Sequence, residues 1–255
     1  MSGKARRKNP ERRWPSIFWV LSGIVSTAFW PILRLRVSGA ENLPREGAFI
    51  VAPNHYSEID PLIVGLAVWR AGRAPRFLAK SSLFRVPVLG WILRSTGQIP
   101  VEREGNKREG GPVQAAAQLA ELGRGVIIYP EGTLTRDPEL WPMRGKPGVA
   151  RVAAAHDIPV IPVAHWGAQL VMPRYGKRIS LFPRKDVRLV FGAPIRTSEL
   201  EYTVPGGESG RMKAVTEHVM REITAELETL RGEKAPGQLW DPQAHDQKET
   251  GRFDS

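Results

Sequence analysis

The sequence predicts an α/β fold in which a mixed, largely buried central sheet is flanked by helices. Short runs of consecutive apolar residues, bounded by Gly, Pro or charge, are typical of strands buried on both faces. Ala- and Leu-rich stretches separate these runs, and such alternation is typical of a sheet with helices packed on it. An uncharged apolar segment precedes the first run, so we also expect an N-terminal membrane-associated helix or helical hairpin.

The N-terminal segment combines apolar residues with basic flanks. Residues 14–33 carry no charge, and about 20 apolar residues are needed for a transmembrane helix. Residues 1–36 hold eight basic side chains against one acidic one, so they supply +7 of the net charge of +11. Basic residues that bracket an apolar stretch favour a lipid surface over nucleic acid as the partner. Two readings stay open: a helix or hairpin lying on one leaflet, and a helix that crosses the bilayer.

From residue 47 onward the pattern changes to strands and helices. The predicted strands are 48–53, 75–80, 97–103, 125–130, 158–166 and 186–192. The predicted helices between them are 61–72, 111–125 and 148–157. The clearest amphipathic helix covers 210–231, where apolar residues recur every three or four positions.

These patterns divide the chain into three parts. We expect residues 1–36 to form a basic, apolar membrane-binding segment. Residues 37–232 form the main domain and include the C-terminal amphipathic helix. Residues 233–255 are polar, charged and interrupted by proline and glycine, which predicts a disordered tail.

Several kinds of site are excluded by what the sequence lacks. The chain has no cysteine, which excludes disulfide bonds, thiolate zinc sites and a cysteine nucleophile. It has no GxSxG nucleophile elbow, no HExxH zinc pair, and neither a P-loop nor a GxGxxG nucleotide motif. The sequence therefore predicts no metal site and no resident cofactor.

The stretch VAPNHYSEID, residues 51–60, follows the first predicted strand and contains the first candidate site. Asp60-Pro61 is typical of a helix N-cap followed by proline in the first turn. The short connection between strand and helix brings His55 and Asp60 within reach of each other. A carboxylate bonded to one ring nitrogen leaves the other nitrogen available as a base. Alternatively, Asp60 only caps the helix and His55 only fills the loop.

Polar residues follow two further strands in the same way. Arg103 lies just beyond the third strand, and Glu131-Gly132-Thr133 lies just beyond the fourth. Arginine suits bidentate phosphate binding, and glycine allows the backbone to approach a ligand closely. Downstream, Arg136, Arg144 and Lys146 add positive charge. Each feature alone is also typical of a solvated strand end or an ordinary turn, but together they favour a general base beside an anion site.

Taken in order, four blocks resemble the glycerolipid acyltransferase family, which includes bacterial 1-acyl-glycerol-3-phosphate acyltransferases. The blocks are Asn54-His55 with Asp60, Gly97 to Arg103, Tyr129 to Thr133, and Ile158 to Val163. The resemblance implies that His55 is the general base and that Asp60 orients it. It also implies that Arg103, Glu131, Gly132 and Thr133 bind the acceptor, particularly its phosphate.

The reaction implied by the resemblance is acyl transfer to a lysophospholipid, most simply 1-acyl-sn-glycerol-3-phosphate, to give phosphatidic acid. Acyl-CoA or acyl carrier protein is the co-substrate, and no cofactor or acyl-enzyme is needed. The implied partner is membrane lipid, with the catalytic domain on the cytoplasmic face of the cell membrane. No nucleic acid partner is expected, and the sequence does not determine the oligomeric state.

One position departs from the family pattern. The third block commonly reads EGTRS, whereas this chain has Leu134 directly after Thr133. We expect Arg136, Arg144 or Lys146 to supply the missing positive charge. Of these, we predict that Arg136 and Lys146 bind substrate. Otherwise the acceptor is a different glycerol or lyso-lipid. Two other functions stay open: a membrane-bound thioesterase or lipase in which His55 activates water, and a non-catalytic module that binds anionic membrane or nucleic acid through its basic N-terminus.

Overall fold

The computed structural model of the protein describes residues 17–101, 120–200 and 205–248. Its helices are α1 (Ile17–Phe29), α2 (Asp60–Arg70), α3 (Pro87–Ser95), α4 (Gly148–His156) and α5 (Gly207–Arg231). Its strands are β1 (Leu33–Ser38), β2 (Phe49–Pro53), β3 (Leu78–Lys80), β4 (Ile99–Val101), β5 (Gly125–Ile127), β6 (Val160–Trp166) and β7 (Lys185–Phe191). Short 3₁₀ turns connect several of these elements.

Five strands form a mixed central sheet in the order β1-β7-β6-β2-β5. The pairs β1–β7, β2–β6 and β2–β5 are parallel, and β6–β7 is antiparallel. β3 and β4 form a separate parallel pair, which a bridge between Phe77 and Ile127 connects to the edge of the main sheet. Because β2, β5 and β6 are parallel, their carboxyl ends lie at the same edge of the sheet.

The central strand β2 is buried on both faces, as its uninterrupted apolar sequence predicts. Ile50 and Ala52 point to one side and pack with residues of α4 and α5. Phe49 and Val51 point to the other side and pack with residues of α2. This alternation places a helical layer on each face, so the predicted mixed α/β fold is confirmed.

The N-terminal helix α1 is part of this fold. Phe18 and Trp19 pack on Trp69 of α2, with ring centroids 5.6 and 5.3 Å apart. Its other side exposes Val20 and Ile24. The chain then continues straight into β1, so these residues do not form the predicted helical hairpin. Within the ranges that the structure describes, no helix combines the length and the apolar character needed to cross a bilayer.

The boundaries predicted for the three parts of the chain differ from the structure at both ends. The boundary after residue 36 falls inside β1, whose six residues pair with β7 in the central sheet. The disorder predicted from residue 233 does not hold for residues 233–248, because this segment packs against the domain. Trp240 forms a parallel bridge with Met143, and its carbonyl accepts the N–H of Arg144 at 2.9 Å. Residues 249–255 lie outside the described ranges.

Candidate active site

His55 and Asp60 lie in contact in the loop between β2 and α2. The Nδ1 atom of His55 is 3.0 Å from Oδ2 of Asp60. The same oxygen accepts the backbone N–H groups of Tyr56 and Ser57, each at 2.8 Å. Asp60 is the first residue of α2, and the N–H groups that it accepts belong to the preceding loop. It therefore acts on the loop that carries His55, whereas the sequence predicted a cap for the helix.

This geometry determines which ring nitrogen of His55 is available. Asp60 is fully buried, whereas 17% of the His55 side chain is exposed. Because a carboxylate only accepts hydrogen bonds, Nδ1 carries the proton that it donates to Asp60. The neutral ring then has its basic lone pair on Nε2, as a general base requires.

Tyr129 stacks on the His55 ring and limits its movement. The ring centroids are 4.1 Å apart and the planes are inclined by 30°. Among the described residues, the buried hydroxyl of Tyr129 has no hydrogen-bond partner. Burial raises the pKa of Tyr129 well above its usual value, and the nearby Asp60 adds to that shift. Tyr129 therefore presents a neutral ring to the imidazole.

A second histidine, His165, lies buried behind Asp60 at the end of β6. Its Nε2 atom is 3.0 Å from the carbonyl oxygen of Asn54, and its Nδ1 is 3.0 Å from the hydroxyl of Tyr56. Nε2 is also 3.9 Å from Asp60 Oδ2. Burial lowers the pKa of His165, an effect that Asp60 opposes. No sequence pattern indicated a role for this residue, because its approach to Asp60 depends on the pairing of β6 with β2.

The Asn54 side chain extends the pairing of β2 with β6 beyond the strand end. Its Oδ1 accepts the backbone N–H of His165 at 3.0 Å, and its Nδ2 donates to the carbonyl of His165 at 3.2 Å. The amide therefore takes the place of a backbone peptide in the ladder. This fixes the point from which the His55 loop leaves the sheet.

The Glu131 side chain binds the backbone of His55. One carboxyl oxygen accepts the N–H of His55 and the other accepts the N–H of Met143, both at 3.0 Å. The N–H of Thr135 donates to the carbonyl of His55 at 2.7 Å. Burial raises the pKa of Glu131 to about 8, although the two backbone N–H groups partly lower it. These contacts are those of a residue that positions His55, whereas the sequence predicted contact with substrate.

Gly132 forms the turn after Glu131 and lies under Lys146. Its φ of +73° is in the left-handed region, where a side chain is disfavoured. A Cβ atom at this position would lie 3.3 Å from Cδ of Lys146. The N–H of Lys146 donates to the carbonyl of Pro130 at 2.8 Å, which fixes the lysine beside the turn. Gly132, Thr133 and Lys146 are all partly exposed, so this edge of the site is open to a ligand.

A cavity of about 450 Å³ lies next to this turn, between α4, α5 and the segment 233–248. Its lining is largely apolar and includes the side chains of Met143, Met212 and Met220. Four basic side chains and two acidic ones line it: Arg144, Lys146, Arg151, Lys213, Glu131 and Glu217. A lining that combines basic side chains with apolar ones suits a ligand that has both an anionic and an apolar part.

The other cations predicted for the site differ in position, since Arg144 also lines the cavity and Arg136 is buried outside it. Arg136 is 1% exposed and donates to the Tyr175 hydroxyl at 2.9 Å. Arg144 forms an ion pair with Asp241 at 3.3 Å. Leu134, at the position where the family pattern has arginine, is buried. Arg103 lies outside the described residues. Of the three candidates to replace the missing charge, Lys146 is therefore the one beside Gly132.

The amino-acid sequence matches the profile of the family described as Acyltransferase over residues 34–166, more than half of the chain. It is 29% identical to 1-acyl-sn-glycerol-3-phosphate acyltransferase of Bacillus subtilis, over 74% of this chain and 86% of that protein. It is 28% identical to the chloroplastic 1-acyl-sn-glycerol-3-phosphate acyltransferase BAT2 of Brassica napus, over 69% of this chain and 49% of that protein. The chain thus spans about half the length of the plant relative.

The fold is also similar to a solved structure. The crystal structure of the 1-acyl-sn-glycerophosphate acyltransferase PlsC from Thermotoga maritima matches with a TM-score of 0.65 and 24% sequence identity. The match covers 86% of this chain and 82% of that one. At this identity the likeness is evidence for the fold alone.

Proposed function

Because the chain belongs to the Acyltransferase family, we propose that it transfers a fatty acyl group from acyl-CoA or acyl carrier protein to a lysophospholipid hydroxyl. The acceptor that the relatives' names support is 1-acyl-sn-glycerol-3-phosphate, and the product is then phosphatidic acid. The observation that carries the proposal is the His55–Asp60 pair, with 3.0 Å between Nδ1 and Oδ2, at the carboxyl edge of the sheet.

In the proposed mechanism His55 acts as a general base. Its Nε2 takes the proton from the acceptor hydroxyl as the oxygen attacks the thioester carbonyl. The new C–O ester bond forms, the C–S bond breaks, and the leaving thiolate receives the proton from His55. Asp60 holds the ring in the required tautomer and stabilises the transient imidazolium. A positioned base of this kind contributes about 10²–10⁴-fold to the rate.

We assign recognition of the acceptor phosphate to the turn at Gly132-Thr133 and to Lys146. The amine of Lys146 lies close to Gly132, since its Nζ is 3.7 Å from the position of a Cβ there. A lysine is a point charge for a phosphate, without the forked geometry of arginine. Arg103 stays a predicted further ligand on sequence grounds. Glu131 supports the site through the His55 backbone.

We further propose that the protein works at the surface of a lipid bilayer, with its catalytic domain on the cytoplasmic face of the cell membrane. The acceptor is itself a membrane lipid. The exposed, uncharged side of α1 supports this proposal, since it carries Val20 and Ile24 without a charged residue in the helix. Amphipathic helices bind interfaces through such apolar faces.

The test is a product profile of the purified protein. Lysophosphatidate and other lysophospholipids are each offered with acyl-CoA and with acyl carrier protein, and products are identified by mass spectrometry. We expect phosphatidic acid to form in step with release of free thiol from the donor. Release of free fatty acid at a rate independent of the acceptor would instead indicate a thioesterase. Preference for another lysophospholipid would show that the acceptor differs from the one named for the relatives.

A further inference from the structure

We propose that residues 177–184, between β6 and β7, form a membrane-docking segment that binds an anionic bilayer surface together with the end of α1. This inference rests on the proposed function, because it names the surface that brings the site to its lipid. Residues 177–184 form a second contact with the membrane, in addition to the N-terminal segment that the sequence predicts to bind lipid.

The middle of the docking segment exposes large apolar side chains. The exposed fractions are 49% for Ile179, 50% for Leu181 and 77% for Phe182. Phe182 is the most exposed large apolar residue in the described part of the chain. Clustered exposure of this kind marks an interaction surface, whereas single exposed apolar residues are common.

Basic side chains flank this apolar tip on both sides. Lys177 and Arg178 precede it, Arg184 follows it, and all three are exposed. The segment contains no acidic residue. The next acidic residue, Asp186, already lies near two other arginines in the edge strand, 3.4 Å from Arg36 and 4.0 Å from Arg34. An apolar tip with cationic flanks matches a bilayer in which anionic headgroups surround an apolar interior.

Hydrogen bonds connect the docking segment to the residues around it. The N–H of Ser180 donates to the carbonyl of Val171 at 2.8 Å. The amine of Lys185 donates to the carbonyl and the hydroxyl of Ser180, at 2.8 and 2.6 Å. Lys185 N–H also donates to Ile32 at 2.9 Å. Because the tip is ordered before binding, docking does not have to order it.

The docking segment adjoins the end of α1. The Arg184 guanidinium lies 4.5 Å from the centroid of the Trp30 ring, and its Nε donates to the carbonyl of Leu33 at 3.2 Å. Trp30 is itself 68% exposed. Tryptophan beside a cation is typical of side chains at a membrane interface. The segment and the end of α1 therefore meet at a site that combines an exposed aromatic ring with a basic side chain.

The same loop reaches the candidate active site at its other end. The hydroxyl of Ser57 donates to the carbonyl of Met172 at 2.6 Å, and Arg174 donates to the carbonyl of Thr135 at 2.6 Å. Docking through residues 177–184 therefore fixes the membrane relative to the His55 loop. This connection is what an enzyme with a membrane lipid as acceptor requires.

Two other occupants fit the surface less well. A twofold contact with a second copy of the chain would place Lys177, Arg178 and Arg184 close to the same cations, and like charges repel. An acidic carrier protein would match the cations, but the uncharged side of α1 offers it no charge to pair with. A bilayer satisfies both parts of the surface.

The test uses the full-length protein and sedimentation with vesicles of phosphatidylcholine alone or mixed with phosphatidylglycerol. We expect the wild type to prefer the anionic vesicles and to lose this preference at high salt. The double variant Leu181→Ser/Phe182→Ser should bind both vesicle types about tenfold more weakly. Arg178→Glu should weaken binding to the vesicles that contain phosphatidylglycerol and leave binding to phosphatidylcholine alone unchanged.

Matched controls are Leu122→Ser, an exposed apolar residue on the turn before β5, and Arg221→Glu on α5. We expect both controls to bind vesicles as the wild type does. Acyl transfer is measured in parallel with detergent-dispersed substrates, where the docking variants should keep wild-type turnover. Unchanged vesicle binding in the double variant overturns the docking proposal, as does an equal loss in Leu122→Ser. Loss of carrier-protein binding or of self-association, with vesicle binding intact, also overturns it. Failure of acyl transfer in the wild type concerns the proposed function alone.

Discussion

At the residue scale, His55 is held at three points that belong to three different neighbours. Asp60 binds its ring, Glu131 accepts its N–H, and the Thr135 N–H donates to its carbonyl. Tyr129 covers one face of the ring. The base role proposed for His55 requires that the orientation of its ring is set before substrate arrives. The buried groups around His55 provide that orientation.

The raised pKa of Glu131 leads to a prediction about stability and pH. Its folded-state pKa of about 8 lies above the ordinary value of 4.5, so the folded protein retains a proton that the unfolded chain releases. The stability due to this proton is complete below pH 4.5 and is lost as the pH rises through 8. Over this interval, the free energy of unfolding should fall by up to about 1.4 kcal/mol per pH unit on account of this group.

The measurement is urea denaturation of wild type and Glu131→Gln at several pH values. We expect the variant to be less stable at low pH, because an amide has only one accepting oxygen for the two backbone N–H groups. Its stability should nevertheless depend less on pH than that of the wild type. Glu139→Gln, a change of an exposed carboxyl, serves as the control. Parallel curves for wild type and Glu131→Gln would show that Glu131 is ionised in the folded state.

At the element scale, the C-terminal segment 233–248 is a part of the domain that closes one side of the cavity. Leu239 lines the cavity, and the carbonyl of Trp240 accepts the Arg144 N–H. The Trp240 ring stacks on His245 with 3.6 Å between centroids, and its Nε1 donates to Gln247 at 3.0 Å. Contacts outside Trp240 also hold the segment: Arg144 pairs with Asp241 at 3.3 Å, and the N–H of Ala235 donates to Glu228 at 2.9 Å.

Replacing Trp240 with alanine should loosen the segment around this residue, because the stacking on His245 and the hydrogen bond to Gln247 are lost. Trp240 is only half-buried, so we expect a loss of about 1–2 kcal/mol, less than the roughly 3–5 kcal/mol for a fully buried tryptophan. Amide hydrogen exchange over residues 240–248 should become faster, while α5 stays protected. Gln238→Ala, at an exposed position in the same segment, should change neither quantity. Fast exchange over this segment in the wild type would contradict the structure.

The elements differ in how well the sequence predicts them, for physical reasons. β2 and β6 are apolar on consecutive residues, and such runs are typical of buried parallel strands. β1 is not predicted from the sequence. Its residues, LRLRVS, directly follow the apolar N-terminal segment, and the arginines and the apolar residues together are typical of a lipid-binding region. The order β7-β6-β2 depends on long-range pairing, which local sequence does not encode. The ordered path of 233–248 depends on a few long-range contacts, such as Trp240 with Met143 and Asp241 with Arg144, in a composition otherwise typical of disorder.

The candidate site shows the same division. The pairing of His55 with Asp60 follows from a short loop, so the sequence predicts that contact. His165 approaches Asp60 only because β6 lies beside β2, and one sequence does not give that neighbour. Similarly, nothing local indicates that Glu131 turns inwards to the His55 backbone, since a polar residue after a strand more often faces solvent.

At the scale of the whole molecule, residues 17–38 share a core with the main domain. Phe29 and Leu33 pack with Tyr56, Ile63 and Val187 in a shared core cluster. β1 also supplies the outer strand of the central sheet beside β7. The segment that the sequence set apart for lipid therefore also helps to bury the base of the His55 loop.

Two truncated chains test this view of the molecule. A protein beginning at residue 14 retains α1 and β1, and we expect its thermal unfolding midpoint to match that of the full chain. A protein beginning at residue 37 lacks most of β1 and several core side chains. Each large apolar side chain removed from a core costs about 2–5 kcal/mol, so the shorter protein should not fold. Cooperative unfolding of the 37–255 protein, seen by circular dichroism at the wild-type midpoint, would contradict this expectation.

The central claim is that His55 is the base for acyl transfer, and the most direct measurement is single-turnover transfer by His55→Ala. Wild type, His55→Ala and the control His156→Ala, which changes an exposed histidine on α4, are compared with lysophosphatidate and acyl-CoA. Equal thermal midpoints would show that all three are folded. We predict that His55→Ala loses about 10²–10⁴-fold in rate while His156→Ala keeps the wild-type rate. A folded His55→Ala protein that makes phosphatidic acid at the wild-type rate would contradict the account.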